Sequence, residues 1–127
     1  MFGKDLKSRT VFGIKMDQQI IGAVTLDQNQ ADGYKSIPWE SENSSASCIH
    51  RLAVHPDYQG KGMGKRLLQF AENKALHDGS TSIRLDVYSA NPTAVAIYEK
   101  AGYLNKGEIT FPLRKQPYIC MEKQLLE

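Results

Sequence analysis

The most informative segment of this sequence is LAVHPDYQGKGMGK, which runs from Leu52 to Lys65. It places Gly60, Gly62 and Gly64 between a predicted strand and a predicted helix. Glycine lets a backbone turn sharply and lets an anion approach the N–H groups without meeting a side chain. The helix N-terminus adds unsatisfied donors and the positive end of a dipole, and neighbouring basic side chains add full charges. The segment therefore predicts a phosphate-binding turn.

Two common phosphate-binding motifs are excluded by spacing. A P-loop has four residues between its glycines and then Lys followed by Ser or Thr, whereas three residues separate Gly60 from Gly64 and Arg66 follows Lys65. The dinucleotide-binding fingerprint is G-x-G-x-x-G, and this turn has G-x-G-x-G. A turn that only packs the helix against the sheet is the remaining alternative.

Periodic apolar residues predict the elements on both sides of this turn. Before it, we expect a hairpin of strands 10–16 and 19–26 and a third strand at 48–54. After it, we expect a helix at 63–77, a strand at 82–88, a helix from Pro92 that Gly102 ends, and late strands at 103–104, 109–111 and 118–121. The order β-β-β-α-β-α-β-β predicts an α/β fold with a mixed sheet, and the unit 48–88 should be a parallel crossover.

Residues 27–47 form a long polar connection, DQNQADGYKSIPWESENSSAS. Connections of this length inside a compact domain often bind ligands or move. Trp39 has two interpretations, as a hydrophobic anchor that holds the connection down or as part of a ligand pocket.

Length and composition restrict the class of protein. The 127 residues match one ordinary domain, and we expect residues 1–127 to form a single domain. Hydrophobic residues make up 41% and charged residues 24%, as in globular proteins, and the net charge of +2 argues against a nucleic-acid binder. Arg84 and Lys100 are predicted to be solvated surface charges.

Membrane insertion and metal binding find no support in the sequence. No apolar run approaches the roughly 20 residues that span a bilayer, and the N-terminus lacks the apolar core of a signal peptide. Cys48 and Cys120 stand alone, which argues against a metal site or a disulfide framework and favours a reducing cytoplasm. We therefore expect a cytoplasmic protein with no metal, no membrane partner and no nucleic-acid partner.

The segment QGKGMG, residues 59–64, resembles the acetyl-CoA turn of the GNAT family of N-acetyltransferases, whose pattern is Gln/Arg-x-x-Gly-x-Gly/Ala. The preceding Leu-Ala-Val strand and its turn with proline also match that family. A second motif of the family is Asn-x-x-Ala-x-x-Leu/Ile-Tyr-x-x-x-Gly-Phe/Tyr. It is matched by Asn91, Ala94, Ile97, Tyr98, Gly102 and Tyr103. Both motifs occur in order and with the family's spacing.

The resemblance implies the acyl-CoA N-acyltransferase fold, a mixed, mostly antiparallel sheet with a central crossover and a coenzyme-binding core at about residues 48–103. The N-terminal strand and helices of that fold are missing before Thr10. We expect either a truncated sequence or a partner subunit, as in a homodimer, to explain this gap in the acceptor site. Acetyl-CoA would be the co-substrate. The implied coenzyme-binding residues are Leu52, Ala53, Val54, Gln59, Gly60, Lys61, Gly62, Met63, Gly64, Lys65, Asn91 and Tyr98.

The resemblance also implies how these residues act. The edge of residues 52–54 would pair with the pantetheine arm, an amide-containing chain that can serve as an extra strand. Residues 60–65 would donate backbone hydrogen bonds to the pyrophosphate. Asn91 would contact the same arm, cap the following helix, or do both. Tyr98 would protonate the departing thiolate as general acid, and a core tyrosine is its alternative.

A general base is needed because a protonated amine cannot attack a thioester. Holding a lysine-like amine of pKa about 10.4 neutral at pH 7 costs roughly 4–5 kcal/mol. Asp86 is the first candidate, because it aligns with a carboxylate, usually Glu, that the ribosomal-protein acetylating subgroup uses; its alternative is an ion pair or a loop hydrogen bond. His50 is the second, with a structural role as its alternative. Glu40 and Glu42 are the third, with solvated loop charges as theirs.

These expectations describe an N-acetyltransferase that moves acetyl from acetyl-CoA to the primary amine of a small molecule or peptide by direct attack. A nucleophilic role for Cys48 with His50 is a minor alternative. From a different functional class, the alternative is an acyl-CoA-binding or protein-interaction module without turnover.

Overall fold

The computed structural model describes residues 10–42 and 45–125. Within them the chain forms six strands, two helices and two short 3-10 turns at Asp32–Ser36 and Pro56–Tyr58. In chain order the strands and helices are β1 (Thr10–Met16), β2 (Gln19–Asp27), β3 (Ala46–Val54), α1 (Met63–His77), β4 (Ser82–Tyr88), α2 (Pro92–Lys100), β5 (Leu104–Ile109) and β6 (Tyr118–Gln124). This is the predicted order.

The C-terminal strands differ from the prediction in one respect. A separate strand at 109–111 is wrong, because Ile109 is the last residue of β5 and Phe111 lies in the loop that leads to β6. The register explains why the strand stops, since Ile109 already pairs with Tyr118, the first residue of β6, and the residues that follow Ile109 have no strand partner in the described part of the chain.

A six-stranded mixed sheet carries the fold, in the order β1-β2-β3-β4-β6-β5. β3 and β4 pair in parallel and are connected through α1, and the other neighbouring strands pair antiparallel. A parallel pair needs a long crossover, which the helix supplies. The predicted α/β class, the mostly antiparallel sheet and the central parallel crossover are confirmed.

The main hydrophobic core lies between α1 and one face of the sheet. Helix α1 spans the predicted range and buries the apolar residues that recur at helical spacing. They are Leu67, Leu68, Ala71 and Ala75. They pack in one cluster with buried strand residues that include Val24, Ile49, Ile83 and Leu85.

Helix α2 begins as predicted and is only partly buried. Asn91 is its N-cap, and its Oδ1 accepts a hydrogen bond from Ala94 N at 3.2 Å. The side chains of Val95 and Tyr98 pack against the main core, whereas Ile97 is 40% exposed. The helix therefore leaves part of its surface open beside the end of β4.

The opposite face of the sheet is covered by the connection between β2 and β3. Tyr34 and Ile37 of this connection pack against Cys48, Ile109 and Cys120 in a second, smaller core. The sheet is therefore buried on both faces around β4 and β6.

Trp39 anchors this connection to the sheet. Its ring lies over the guanidinium of Arg84, with Arg84 Cζ 4.5 Å from the ring centroid. The centroid of the Tyr34 ring lies 5.1 Å from that of Trp39. Trp39 Nε1 donates a hydrogen bond to Tyr34 O at 2.9 Å, which satisfies the donor of the indole. Of the two interpretations of Trp39, the structure supports the anchor.

The prediction that Arg84 is a solvated surface charge is wrong, because its side chain is completely buried. Its guanidinium donates to Glu122 Oε2 at 3.4 Å, to Gln30 Oε1 at 2.6 Å and to Ser41 O at 2.6 Å. A buried charge has to be paired and hydrogen-bonded, and these partners come from β6 and from the covering connection. The error arose because the face of β4 opposite the main core is itself covered. Lys100 is exposed, as predicted.

Candidate active site

The parallel pair formed by β3 and β4 is short. Its register joins three residue pairs, the last of which is Cys48 with Arg84. β3 continues to Val54 and β4 to Tyr88, but within the described residues these later parts do not pair with each other. The edge of β3 that faces β4 therefore carries no strand partner from Ile49 onward, and such an edge accepts another extended chain.

A β-bulge at His50 accompanies this separation. On the β2 side, Thr25 pairs with Arg51 and Leu26 pairs with Ile49, so that His50 is the extra residue. A bulge bends its strand and increases the local twist. The bulge lies just beyond the last β3–β4 pair, so β3 turns away from β4 at this point.

The turn after β3 is open and built on left-handed glycines. Gly60 has φ of 78° and Gly62 has φ of 82°, and a Cβ at either position would meet no atom within 4 Å. Gly62 is the N-cap of α1, and its carbonyl accepts the hydrogen bond from Arg66 N at 3.1 Å. The amides before Arg66 at this helix start have no intrahelical partner by geometry, and the side chains of Lys61 and Lys65 are exposed beside them. The turn has the donors and the charge that a phosphate group requires.

Gln59 ties this turn to the end of β3. Its Nε2 donates to Val54 O at 3.0 Å. His55 caps the intervening 3-10 turn, because its Nδ1 accepts from Asp57 N at 3.1 Å. The unpaired strand edge and the glycine turn are therefore held together as one continuous surface.

Tyr98 projects from α2 and is half-buried against the main core. Its ring centroid lies 5.8 Å from that of Tyr103. Burial raises the pKa of the Tyr98 hydroxyl above its ordinary value, and the negative charge of Asp86 raises it further. A phenol in this environment stays protonated at neutral pH, as a proton donor must.

Asp86 lies on β4 and is partly exposed. Its Oδ2 accepts a hydrogen bond from the hydroxyl of Tyr34 at 2.8 Å. The loop hydrogen bond that the sequence offered as the alternative role of Asp86 is thus present, and it leaves the carboxylate partly open to solvent.

The other candidate bases have partners or lie in solvent. His50 Nε2 is 2.5 Å from Oδ1 of the buried Asp27, which agrees with the structural role given as its alternative. Glu40 forms an ion pair with Lys106 at 2.5 Å, and Glu42 is exposed. Asp86 is the candidate that combines partial burial with an influence on the pKa of Tyr98.

Both cysteines are free thiols in the second core. Burial raises the pKa of Cys48 to about 12, although the charge of Arg84 opposes the shift, and burial also raises the pKa of Cys120 to about 12. No three His, Cys, Asp or Glu side chains of residues 10–42 and 45–125 are grouped as metal ligands. Neither helix of this part of the chain has the length and apolarity that crossing a bilayer demands.

Two residues that shape the site were missed by sequence reasoning. Tyr34 is buried against Asp86, and Glu122 is buried against Arg84. The signal for Tyr34 was the set of large apolar residues, Tyr34, Ile37 and Trp39, inside an otherwise polar connection. Glu122 carries no local signal, since a strand residue near a chain end is ordinarily solvated.

The sequence matches the Acetyltransferase (GNAT) family over residues 3–103, which is most of the chain. It is 29% identical over 93 residues to the uncharacterized N-acetyltransferase YesJ of Bacillus subtilis. That match covers 73% of this chain and 52% of YesJ, so the chain spans about half the length of that relative.

Two solved structures share the fold. The ribosomal-protein-S18-alanine N-acetyltransferase from Escherichia coli has a TM-score of 0.74 at 18% identity, over 97% of this chain and 73% of that one. The structure of yncA from Salmonella typhimurium with its cofactor acetyl-CoA has a TM-score of 0.72 at 20% identity, over 92% of this chain and 65% of that one. The family match over most of the sequence and the shared fold lead to one conclusion: this chain belongs to the GNAT acetyltransferase family.

Proposed function

We propose that this protein is an N-acetyltransferase that moves acetyl from acetyl-CoA to a primary amine by direct attack. The observation that carries the proposal is the unpaired edge of β3, which begins beyond the Cys48–Arg84 pair and leads to the open turn at Gly60 and Gly62. An extended amide-containing arm with a pyrophosphate at one end fits that surface in both shape and chemistry.

The coenzyme would lie along this surface in one direction. Leu52, Ala53 and Val54 offer backbone groups to the pantetheine arm, and Gln59 steadies the turn that follows. The amides of residues 60–65 bind the pyrophosphate, and the exposed Lys61 and Lys65 add positive charge. Asn91 primarily caps α2, and the pantetheine arm would lie beside it. The coenzyme-binding core is then about residues 48–103.

The chemistry needs one proton acceptor and one proton donor. The amine nitrogen attacks the thioester carbonyl carbon, the carbon–sulfur bond breaks, and the nitrogen loses a proton. We assign that proton to the carboxylate of Asp86 and the protonation of the departing thiolate to the hydroxyl of Tyr98. Burial raises the pKa of Tyr98, so the hydroxyl arrives at the reaction with its proton in place, as this assignment requires.

Direct attack is favoured over an acyl-cysteine intermediate. Cys48 is sealed from solvent and its pKa is about 12, so its nucleophilic thiolate is scarce near neutral pH. An intermediate on Cys48 would therefore lack both access to solvent and an ionised thiol.

The acceptor on this proposal is the primary amine of a small molecule or of a peptide. One structural neighbour acts on the alanine of a ribosomal protein, which illustrates the peptide class. A homodimer is part of the same proposal.

Release of the coenzyme thiol from acetyl-CoA, measured against a panel of small amines and peptides, tests the function. We expect at least one amine to raise the release rate well above hydrolysis, and Asp86→Asn to lower the rate at neutral pH. A folded protein that binds coenzyme A but accelerates no amine would instead support the alternative of a binding module without turnover.

A further inference from the structure

Tyr34 is the residue of the covering connection that reaches the proposed catalytic carboxylate. It lies in the 3-10 turn Asp32–Ser36 and is 3% exposed. Its hydroxyl donates to Asp86 Oδ2 at 2.8 Å, across 52 positions of sequence. Burial and the charge of Asp86 raise the pKa of Tyr34, so the hydroxyl keeps its proton near neutral pH and can act as a donor.

A buried network holds Tyr34 in place. Trp39 Nε1 donates to Tyr34 O at 2.9 Å, and the Trp39 ring rests on the guanidinium of Arg84. Arg84 also donates to Ser41 O at 2.6 Å. Glu122 accepts from Ser41 Oγ at 2.5 Å, which closes the network on β6. The connection is thus pinned to the sheet beyond Tyr34, and the tyrosine has little freedom to turn away.

The hydrogen bond from Tyr34 gives the two oxygens of the Asp86 carboxylate different roles. Oδ2 is engaged by Tyr34, and within residues 10–42 and 45–125 no other hydrogen bond to this carboxylate forms. Oδ1 is therefore left to accept a proton from a substrate. The side chains whose pKa the charge of Asp86 raises, besides that of Tyr34, are Cys48 of β3, Tyr98 of α2 and Cys120 of β6, and all three are neutral near pH 7. The nearby cation is Arg84, two positions earlier on the same face of β4, and it is paired with Glu122.

We infer that Tyr34 is a positioning residue for Asp86, holding one carboxylate oxygen so that the other faces the acceptor amine. The inference rests on the proposed function, in which Asp86 is the base. Tyr34 touches neither substrate nor coenzyme on this account and acts through Asp86 alone.

The test compares Tyr34→Phe with Tyr103→Phe. Tyr103 is 2% exposed and donates its hydroxyl to Glu72 Oε2 at 3.0 Å, so both variants lose one buried hydroxyl bonded to a carboxylate. We expect Tyr34→Phe to lower kcat for amine acetylation about tenfold with KM for the amine little changed, which matches the loss of one hydrogen bond to a charged group. Tyr103→Phe should change neither kcat nor KM.

An Asp86→Asn background distinguishes positioning from a structural effect. If Tyr34 acts through Asp86, adding Tyr34→Phe to Asp86→Asn lowers kcat no further, because the group it positions is already lost. The same tenfold loss in both backgrounds would overturn the inference while the proposed function stands. A wild-type protein that acetylates no amine, or an Asp86→Asn variant as active as wild type, would overturn the role of Asp86 and the role of Tyr34 with it. Thermal melting of the variants identifies the temperatures at which all of them are folded, and the rates are compared there.

Discussion

Arg84 and Glu122 lie directly opposite each other on β4 and β6, with Arg84 Nε donating to Glu122 Oε2 at 3.4 Å and neither side chain reaching solvent. Glu122 also accepts from the backbone N–H of Glu40 at 2.8 Å. The pair therefore joins two adjacent strands of the sheet to the connection that covers them. Two charges are stable in this position only because each has hydrogen-bond partners on more than one side.

Removing one member of this pair should be costly. Glu122→Gln removes the carboxylate charge that faces the buried Arg84 guanidinium across the strand pair, and we expect the free energy of unfolding to fall by about 3–5 kcal/mol. Urea unfolding followed by circular dichroism measures the change. The matched control is Lys74→Gln, which breaks the exposed pair with Asp78 at 3.1 Å and should cost less than about 1 kcal/mol. Equal losses for the two variants would show that the buried pair contributes no more than a surface pair.

Coenzyme binding should depend on the absence of a side chain at Gly62. Gly62→Ala places a Cβ on a backbone with φ of 82°, and we expect a stability cost of about 1–2 kcal/mol together with at least about tenfold weaker binding of coenzyme A. Isothermal titration calorimetry measures the affinity.

Gly79→Ala is the control for that substitution. Gly79 has φ of 94° and equally open surroundings, but it follows the other end of α1. It should carry a similar conformational cost and bind coenzyme A like wild type. Equal affinities of Gly62→Ala and Gly79→Ala for coenzyme A would contradict the proposal that the turn at Gly62 binds phosphate.

Tyr98→Phe should impair turnover without impairing binding. Loss of a general acid typically costs about a hundredfold or more in rate, so we expect kcat to fall by that order while the affinity for coenzyme A is retained. Because burial raises the pKa of Tyr98 above its ordinary value, the wild-type rate should not decline through loss of this proton below about pH 10. Stopped-flow detection of the released thiol across a pH series checks both statements. A Tyr98→Phe variant with wild-type kcat would remove Tyr98 from the mechanism.

The two cysteines should be unreactive in the folded protein. Burial raises the pKa of Cys48 and of Cys120 to about 12, so near pH 8 roughly one thiol in ten thousand is ionised. A thiol reagent such as 5,5′-dithiobis(2-nitrobenzoate) should therefore react slowly with native protein and quickly with both thiols after denaturation. Rapid labelling of Cys48 in native protein would reopen the acyl-cysteine alternative.

Local patterns predicted the elements because the relevant interactions lie within a few residues. Asn91 and Pro92 predicted the start of α2 correctly. An N-cap side chain accepts a hydrogen bond from the first turn, and a proline at the first position fixes its backbone angle, so both effects are local. The strand prediction failed at 109–111 because a strand also needs a partner: β-branched and aromatic residues suggested a strand, but the ladder ends where Ile109 pairs with the first residue of β6. Ile97, which matches an apolar position of the second motif, is 40% exposed because nothing in the described part of the chain covers that side of α2.

By itself the sequence determined the glycine turn, the helix starts and the parallel crossover, because backbone freedom, capping and hydrophobic periodicity are set by neighbouring residues. Only the tertiary structure decided that Arg84 is buried and that Tyr34 meets Asp86. Both depend on the connection after β2 folding across the sheet, and a contact between residues 52 positions apart leaves no periodic trace in the chain. The polar composition of that connection is typical of a solvent-exposed loop. In the structure, a few large apolar side chains and hydrogen bonds to the buried Arg84–Glu122 pair hold it against the sheet.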